Sequence, residues 1–347
     1  MGNKMLSPGE QRKIEHLNIC LEKGVQFDTL TTGFEKFTFV YQALPEFDFQ
    51  EIDLSCHFLG KKLDAPFIIS SMTGGTELGA RINKNLASAS QVLNIGMAVG
   101  SQRVAIENPG LNYCFQVREV APDILLMGNL GAVQLNYGFG VKECLFAVKM
   151  IEADGLFLHL NPLQEASQDE GNTNFKNLIP KIQYVCRSSS FPVFIKEVGN
   201  GISQEVASKI KNIGISGVDI AGAGGTSWVK IEKYRKHKEG NNVLTDNSEE
   251  WGVPTAKSLQ MVKDEVDDLI IIASGGIRSG IDMAKAIALG ADLVGVALPL
   301  LRPAVESAEA VIRVIKQILL DFQITMFCIG AKRLADLKGS QFLKAAE

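Results

Sequence analysis

A chain of 347 residues that is 46% hydrophobic can bury one large core or two smaller ones, so length alone does not choose a fold. A formal charge of -4, with Lys and Arg spread along the chain, argues against nucleic acid or an anionic membrane as the main partner and in favour of a small molecule. No apolar run reaches the roughly 18 to 20 residues that cross a bilayer, and the polar start Met1–Gln11 lacks the apolar heart of a secretion signal; a cytoplasmic protein with no membrane partner is expected.

In chain order, the polar stretch Glu10–Lys23 reads as a helix. Helical spacing puts Arg12 and His16 on one face with Lys13 nearby, above Ile14 and Leu17. Alone this is a solvated surface, although the cationic face would suit a diphosphate. A looser aromatic region follows, up to about residue 65. Then come eight short apolar runs rich in Ile, Val, Leu and Ala: Pro66–Met72, Asn94–Val99, Asp123–Leu130, Gly155–Leu160, Pro192–Glu197, Gly217–Gly222, Leu269–Gly276 and Asp292–Pro299. Amphipathic stretches separate them, such as Ser203–Asn212 after the fifth and Gly280–Leu289 after the seventh. Strands buried on both faces and alternating with helices predict a parallel sheet. Ala304–Leu320 and Ile324–Leu343 read as closing helices.

An open doubly wound sheet would show G-x-G-x-x-G after its first strand, and neither that motif nor a Walker loop occurs. The expected fold is therefore α/β, a (β/α)8 TIM barrel over residues 66–347, with residues 1–65 packed on it as an extension. The six cysteines (Cys20, Cys56, Cys114, Cys144, Cys186, Cys328) lack zinc-site spacing and are expected to be reduced and mostly buried.

Barrel chemistry sits at the carboxyl ends of the strands. After the seventh, Gly275 and Gly276 let backbone N–H groups approach a phosphate, and Arg278 adds charge. The eighth ends in small residues around Ala297 and Leu298 that leave room for the same group. The sixth leads into a glycine loop carrying Thr226 and Trp228, able to wrap a flat ring. Ser71, Met72 and Thr73 follow the first strand, Ser101, Gln102 and Arg103 the second, and Asn129 closes the third. Lys196 ends an apolar strand, which is costly unless the charge meets a partner or an electron-rich ligand. The fourth strand delivers His159, Asn161, Gln164 and Glu165 to one rim. Glu165 suits a hard cation such as Mg2+, and Gln164 could orient a substrate. In isolation, His159 reads as a satisfied core histidine and Glu165 as a solvated loop acid.

Taken together, Arg12–Leu17, Ser70–Gly75, Ser101–Arg103, His159–Glu165, Lys196–Gly199, Gly224–Trp228 and Ser274–Arg278 resemble the flavin-dependent type 2 isopentenyl-diphosphate isomerases. The glycine turn is shared with other flavin barrels; Arg12-Lys13 in order with His159–Glu165 is more specific. The resemblance implies that Ser71, Met72, Thr73, Ser101, Asn129, Lys196, Thr226, Gly275, Gly276, Arg278, Ala297 and Leu298 contact FMN. It implies that Arg12, Lys13, Ser101, Gln102, Arg103 and Gln164 hold the diphosphate, with His16 beside them and Glu165 on Mg2+. His159, Gln164, Glu165 and Trp228 are then the groups nearest the chemistry. Ala221 departs from the serine that relatives often place there.

The implied reaction is an allylic 1,3-proton shift with no net oxidation, using reduced FMN and primed by NADPH, in a homo-oligomer (tetramer or octamer). Two alternatives remain. A 2-hydroxy acid oxidase-like barrel should carry a catalytic histidine after strand seven, and Gly275–Gly280 and the following helix contain none. A non-catalytic phosphate-binding barrel would keep Gly275–Arg278 without needing Gln164 or Glu165.

Overall fold

The computed structural model describes residues 7–239 and 246–346; the start before Ser7 lies outside them. Eight parallel strands form a closed barrel: β1 (Phe67–Ile69), β2 (Gly96–Ala98), β3 (Leu126–Gly131), β4 (Gly155–His159), β5 (Val193–Lys196), β6 (Gly217–Asp219), β7 (Ile270–Ser274) and β8 (Leu293–Val296), with β8 closing on β1. Each strand falls within, or overlaps, one of the eight apolar runs, so the expected TIM barrel is the fold.

Side chains alternate across a strand, and here the alternation divides the core. Phe67, Ile69, Leu156, Leu158, Val193 and Ile195 point outward into the large cluster shared with the helices. Ile68, Ala98, Met127, Phe157, Phe194, Ile272 and Leu293 point inward and form a separate plug. Two elements without a sequence forecast complete its floor. The hairpin Cys56–Phe58/Lys61–Leu63 sends Phe58 and Leu63 into the plug, where Phe58 stacks on Phe194 with ring centroids 5.8 Å apart. Each such buried Phe contributes about 2 kcal/mol.

The N-terminal helix runs Pro8–Glu22. It starts before the forecast Glu10 because Ser7 and Glu10 form a reciprocal capping box and Pro8 fits the first turn. Its Ile19, with Val25, packs on Ile231 of the helix Trp228–Glu239, which brings the Arg12, Lys13 and His16 face over the barrel mouth.

The closing helices need correction. The break lies at Ser307, between Leu298–Glu306 and Ala308–Cys328, because the Ser307 hydroxyl caps the second helix. That helix runs unbroken through residues 320–324. Beyond Gly330 (φ +75°) the chain holds only a short turn of helix, Leu334–Leu337. Leu343–Ala345 is instead a strand, antiparallel to Phe37–Phe39. All six cysteines are free, with Cys114 and Cys144 buried and the other four half-buried, so burial is less complete than expected. Among the described residues, no helix is long and apolar enough to cross a membrane.

Candidate active site

The period of two that builds the plug also builds the floor of the site. Two residues beyond the inward apolar layer stand Ser70, Asn129, His159, Lys196 and Ser274, and Asp219 stands two beyond Gly217, which pairs with Phe194 at the same level. At this level six of the eight strands carry a polar side chain, β2 and β8 placing Gly100 and Gly295 there instead, and Asn129, His159 and Lys196 of the ring border the cavity at the carboxyl ends. Asp219 and Ser274 were not singled out from sequence, although this strand parity marks them. They solve the problem posed by Lys196: its Nζ donates to Asp219 Oδ2 at 2.6 Å, and Ser274 Oγ donates to Asp219 Oδ1 at 2.6 Å. Lys196, 5% exposed, also borders the cavity, so one side of its charge is paired and the other faces the site.

Next in the ring, Asn129 Nδ2 donates to Ser71 Oγ at 2.7 Å, while Asn129 Oδ1 lies 2.7 Å from His159 Nδ1. Burial, followed by the charges of Lys196 and Lys13, pushes the His159 pKa down to about 3. A neutral imidazole results, which cannot serve as a cation for an anionic ligand.

The β4 rim helix Pro162–Ser167 presents Gln164 and Glu165 to the cavity. Glu165 accepts from Asn161 Nδ2 (3.0 Å) and from the backbone N–H of Asn172 (2.6 Å). Beside it, Asn161 Oδ1 is buried with no hydrogen-bond partner. Among the described residues, no three His, Cys, Asp or Glu side chains gather as an all-protein metal cage. A lone carboxylate with a spare amide oxygen is the donor set of a metal shared with ligand oxygens.

Opposite stands the N-terminal helix. Lys13 Nζ donates to Ser101 O at 2.8 Å and sits 5.5 Å from the centroid of the Phe115 ring. Burial and then the Arg12 charge pull its pKa down to about 7. Arg12 donates to Gln168 Oε1 at 3.2 Å, and the His16 ring meets Trp228 edge to face at 5.3 Å. Arg103 pairs with Glu107 at 2.7 Å and donates to Asn172 Oδ1 at 2.9 Å. Arg12, Lys13, His16 and Arg103 border one cavity, together with Met72, Thr73, Ser101 and Thr226, and with Ala297 and Leu298 from the β8 end.

Four forecast residues are not on that wall: Gln102, Gly275, Gly276 and Arg278. Gln102 is fully buried, donating to Ala147 O (2.8 Å) and accepting from the Asn129 N–H (2.8 Å). Its side chain thus steadies Asn129 and does not reach the cavity. Gly275 (φ +102°) and Gly276 (φ +71°) form the turn at the β7 end. A Cβ on Gly275 would fall 2.1 Å from Gly222 O, and one on Gly276 2.4 Å from Thr32 Cγ2. Arg278 donates to Gln26 Oε1 at 3.1 Å. The helix Leu298–Glu306 after β8 starts with no side-chain cap, but Pro299 carries no N–H and the Leu300 N–H already donates to Ala297 O at 2.9 Å.

The profile of the FMN-dependent dehydrogenase family matches residues 152–344. The chain is 47% identical over 335 residues to an isopentenyl-diphosphate delta-isomerase of Nostoc sp., covering 96% of each. It is 49% identical over 328 residues to the one of Synechococcus sp., covering 94% of each. Among solved structures it resembles the recombinant flavin-binding domain of baker's yeast flavocytochrome b2 (TM-score 0.65, 19% identity, 95% of this chain and 82% of that one). It also resembles a lactate oxidase of Pediococcus acidilactici (TM-score 0.68, 16% identity, 100% and 96% covered). At those identities the likeness is one of fold.

Proposed function

The chain belongs to the FMN-dependent, type 2 family of isopentenyl-diphosphate delta-isomerases, and on that premise we propose that it moves the double bond of isopentenyl diphosphate to give dimethylallyl diphosphate, with FMN, Mg2+ and NADPH. The observation that carries this reading is one cavity shared by Arg12 and Lys13 from the extension, Gln164 and Glu165 from the β4 rim, and Asn129 and Lys196 from the floor.

The residues present fit the flavin. Ser71, Met72, Thr73, Asn129 and Thr226 border one cavity at the strand ends, Gly275 and Gly276 form a left-handed turn at the end of β7, and Lys196 offers a cation from the floor. Gly275, Gly276 and Arg278 would hold the phosphate end, and Ser71, Met72, Thr73, Ser101, Asn129, Lys196, Thr226, Ala297 and Leu298 the rest. Reduced FMN supplies acid–base chemistry to the alkene when bound, and NADPH brings it to the reduced state. Glu165, with the Asn161 amide oxygen beside it, would hold Mg2+ against the diphosphate.

The protein's own work is binding and orientation. Arg12, Lys13, His16 and Arg103 neutralise and hold the diphosphate, and Gln164 with Ser101 sets the isoprenoid in register. His159 is held neutral by its surroundings and orients without acting as an acid. Trp228 screens the reacting carbons from water, which protects a cationic transition state. Among the described residues that border the cavity, Glu165 is the one carboxylate, so no opposed pair is there to run the proton transfers. We further propose that residues 1–65 serve as the substrate-binding extension of the barrel, that the protein works in the cytoplasm, and that it assembles as a tetramer or octamer, which light scattering on the eluted protein would test.

The deciding experiment is anaerobic incubation with FMN, NADPH, Mg2+ and isopentenyl diphosphate, followed by product analysis. Dimethylallyl diphosphate is expected. A colourless protein that takes up no flavin and gives no product would return the non-catalytic phosphate-binding barrel to favour, and oxidation of a 2-hydroxy acid would favour an oxidase.

A further inference from the structure

Behind the cavity wall lies a carboxylate to which the reaction assigns nothing. Glu232 sits on the helix Trp228–Glu239, one turn after Trp228, and is 1% exposed. Two segments far apart in sequence converge on it, and its own helix adds a third partner. His16 Nε2 from the N-terminal helix lies 2.8 Å from Oε1, Gln168 Nε2 from the end of the β4 rim donates to the same oxygen at 2.7 Å, and Arg235 donates to Oε2 at 2.6 Å. Arg235 in turn binds Glu15 and Glu170, each at 3.0 Å. Burial alone would raise the Glu232 pKa, but its hydrogen bond and charge interactions with His16 and Arg235 outweigh it and hold the group at about 2. These partners favour the ionised carboxylate of Glu232 in its buried place.

The consequence runs through the Gln168 amide. An amide has one donor end and one acceptor end. With Nε2 committed to Glu232, Oε1 is turned outward and accepts from Arg12 at 3.2 Å. With His16 held on the same carboxylate oxygen, its ring stands edge-on to Trp228. One hidden charge thus sets two of the residues that border the cavity.

We propose that Glu232 is a positioning residue for diphosphate recognition, fixing His16 directly and Arg12 through Gln168 so that the cationic face of the N-terminal helix is arranged before substrate arrives. This rests on the functional reading above. A preset array spends no binding energy on ordering flexible cations, so its loss appears as weaker substrate binding, with chemistry little changed.

The test compares wild type, Glu232→Gln, Glu232→Asp and Gln168→Leu by steady-state kinetics, with the FMN dissociation constant measured on each. Glu232→Gln is expected to raise KM for isopentenyl diphosphate roughly tenfold, with kcat within about twofold and FMN affinity unchanged. Glu232→Asp, which keeps the charge, recovers part of the loss; Gln168→Leu, which removes the amide linking Glu232 to Arg12 and with it a side chain that borders the cavity, shows a smaller rise confined to KM. An unchanged KM in Glu232→Gln, or a fall in kcat together with FMN affinity, overturns the proposal. Should Glu232→Gln fail to fold, Gln168→Leu decides, and an unchanged KM there is equally fatal. Wild type that makes no dimethylallyl diphosphate sinks the functional reading instead. Inorganic pyrophosphate binding to the holoenzyme then tests Glu232 separately, with weaker binding to the variants expected and equal binding overturning the inference.

Discussion

Around β7 the site is made of backbone: Gly275 and Gly276 occupy left-handed conformations, and their neighbours are the main chain of Gly222 and Gly224. Across the cavity it is made of side chains: Arg12, Lys13, Gln164, Glu165 and Gln168, from segments more than 140 residues apart, are held by ion pairs and amides. The first kind of site tolerates no added atom and is indifferent to pH. The second tolerates changes of shape but depends on charge, and so can be tuned.

The largest expected effect falls between the two, on the floor. Asp219→Asn strands the buried Lys196 charge and should lower the free energy of unfolding by about 3 kcal/mol, measured by urea denaturation. A change below about 1 kcal/mol would mean that the pair is dispensable. Gly275→Ala comes next: its Cβ would press on Gly222 O, and flavin affinity should fall roughly 100-fold in an absorbance titration. Wild-type affinity in that variant would show that the turn can move aside, and the contrast between the two regions would dissolve. Glu165→Gln should cut Mg2+-dependent turnover by at least about tenfold while flavin stays bound; an unaltered magnesium response would remove the metal from that rim.

Lys13→Ala should raise KM about tenfold with flavin content unchanged. The charge of Lys13 also predicts a pH dependence. Its pKa is lowered to about 7, so the binding-competent cation is present below that pH and lost above it. The ratio kcat/KM should fall as pH rises through about 7, and Lys13→Arg should move that fall to higher pH. The same limb in Lys13→Arg would assign it to another group. The smallest effect belongs to Glu170→Gln. Glu170 is 45% exposed where it meets Arg12 and Arg235, and the kinetic constants should stay within about twofold of wild type.

What could be read from the sequence follows the range of the interactions. The eight barrel strands announce themselves because burial on both faces forces a local apolar run, and the rim residues follow because strand ends are countable. Asp219 and Ser274 lay within reach, two residues past the inward apolar layer, but short runs of unbroken apolar residues hide which face is which. Gln102 was expected on the substrate and is instead folded inward onto Asn129. Its neighbours Ser101 and Arg103 do reach the cavity, and adjacency along the chain gave no sign of the divergence. The pairing of Phe37–Phe39 with Leu343–Ala345, and the meeting of His16 and Gln168 on Glu232, have no local signature, since each joins segments at least 64 residues apart.

That pairing of the tail with the extension also changes how the molecule carries force. Lys36 O accepts from the Ala346 N–H at 2.8 Å and Phe342 O from the Val40 N–H at 2.8 Å, so the last strand is tied to the same extension that carries Arg12 and Lys13. A pull on that strand would load the Phe37–Phe39 segment of the extension together with the barrel helix Gly280–Ala288, whose Ala288 O accepts from the Gly339 N–H at 3.0 Å. Among the described residues the tail does not border the cavity, yet it clamps the extension to the barrel's flank.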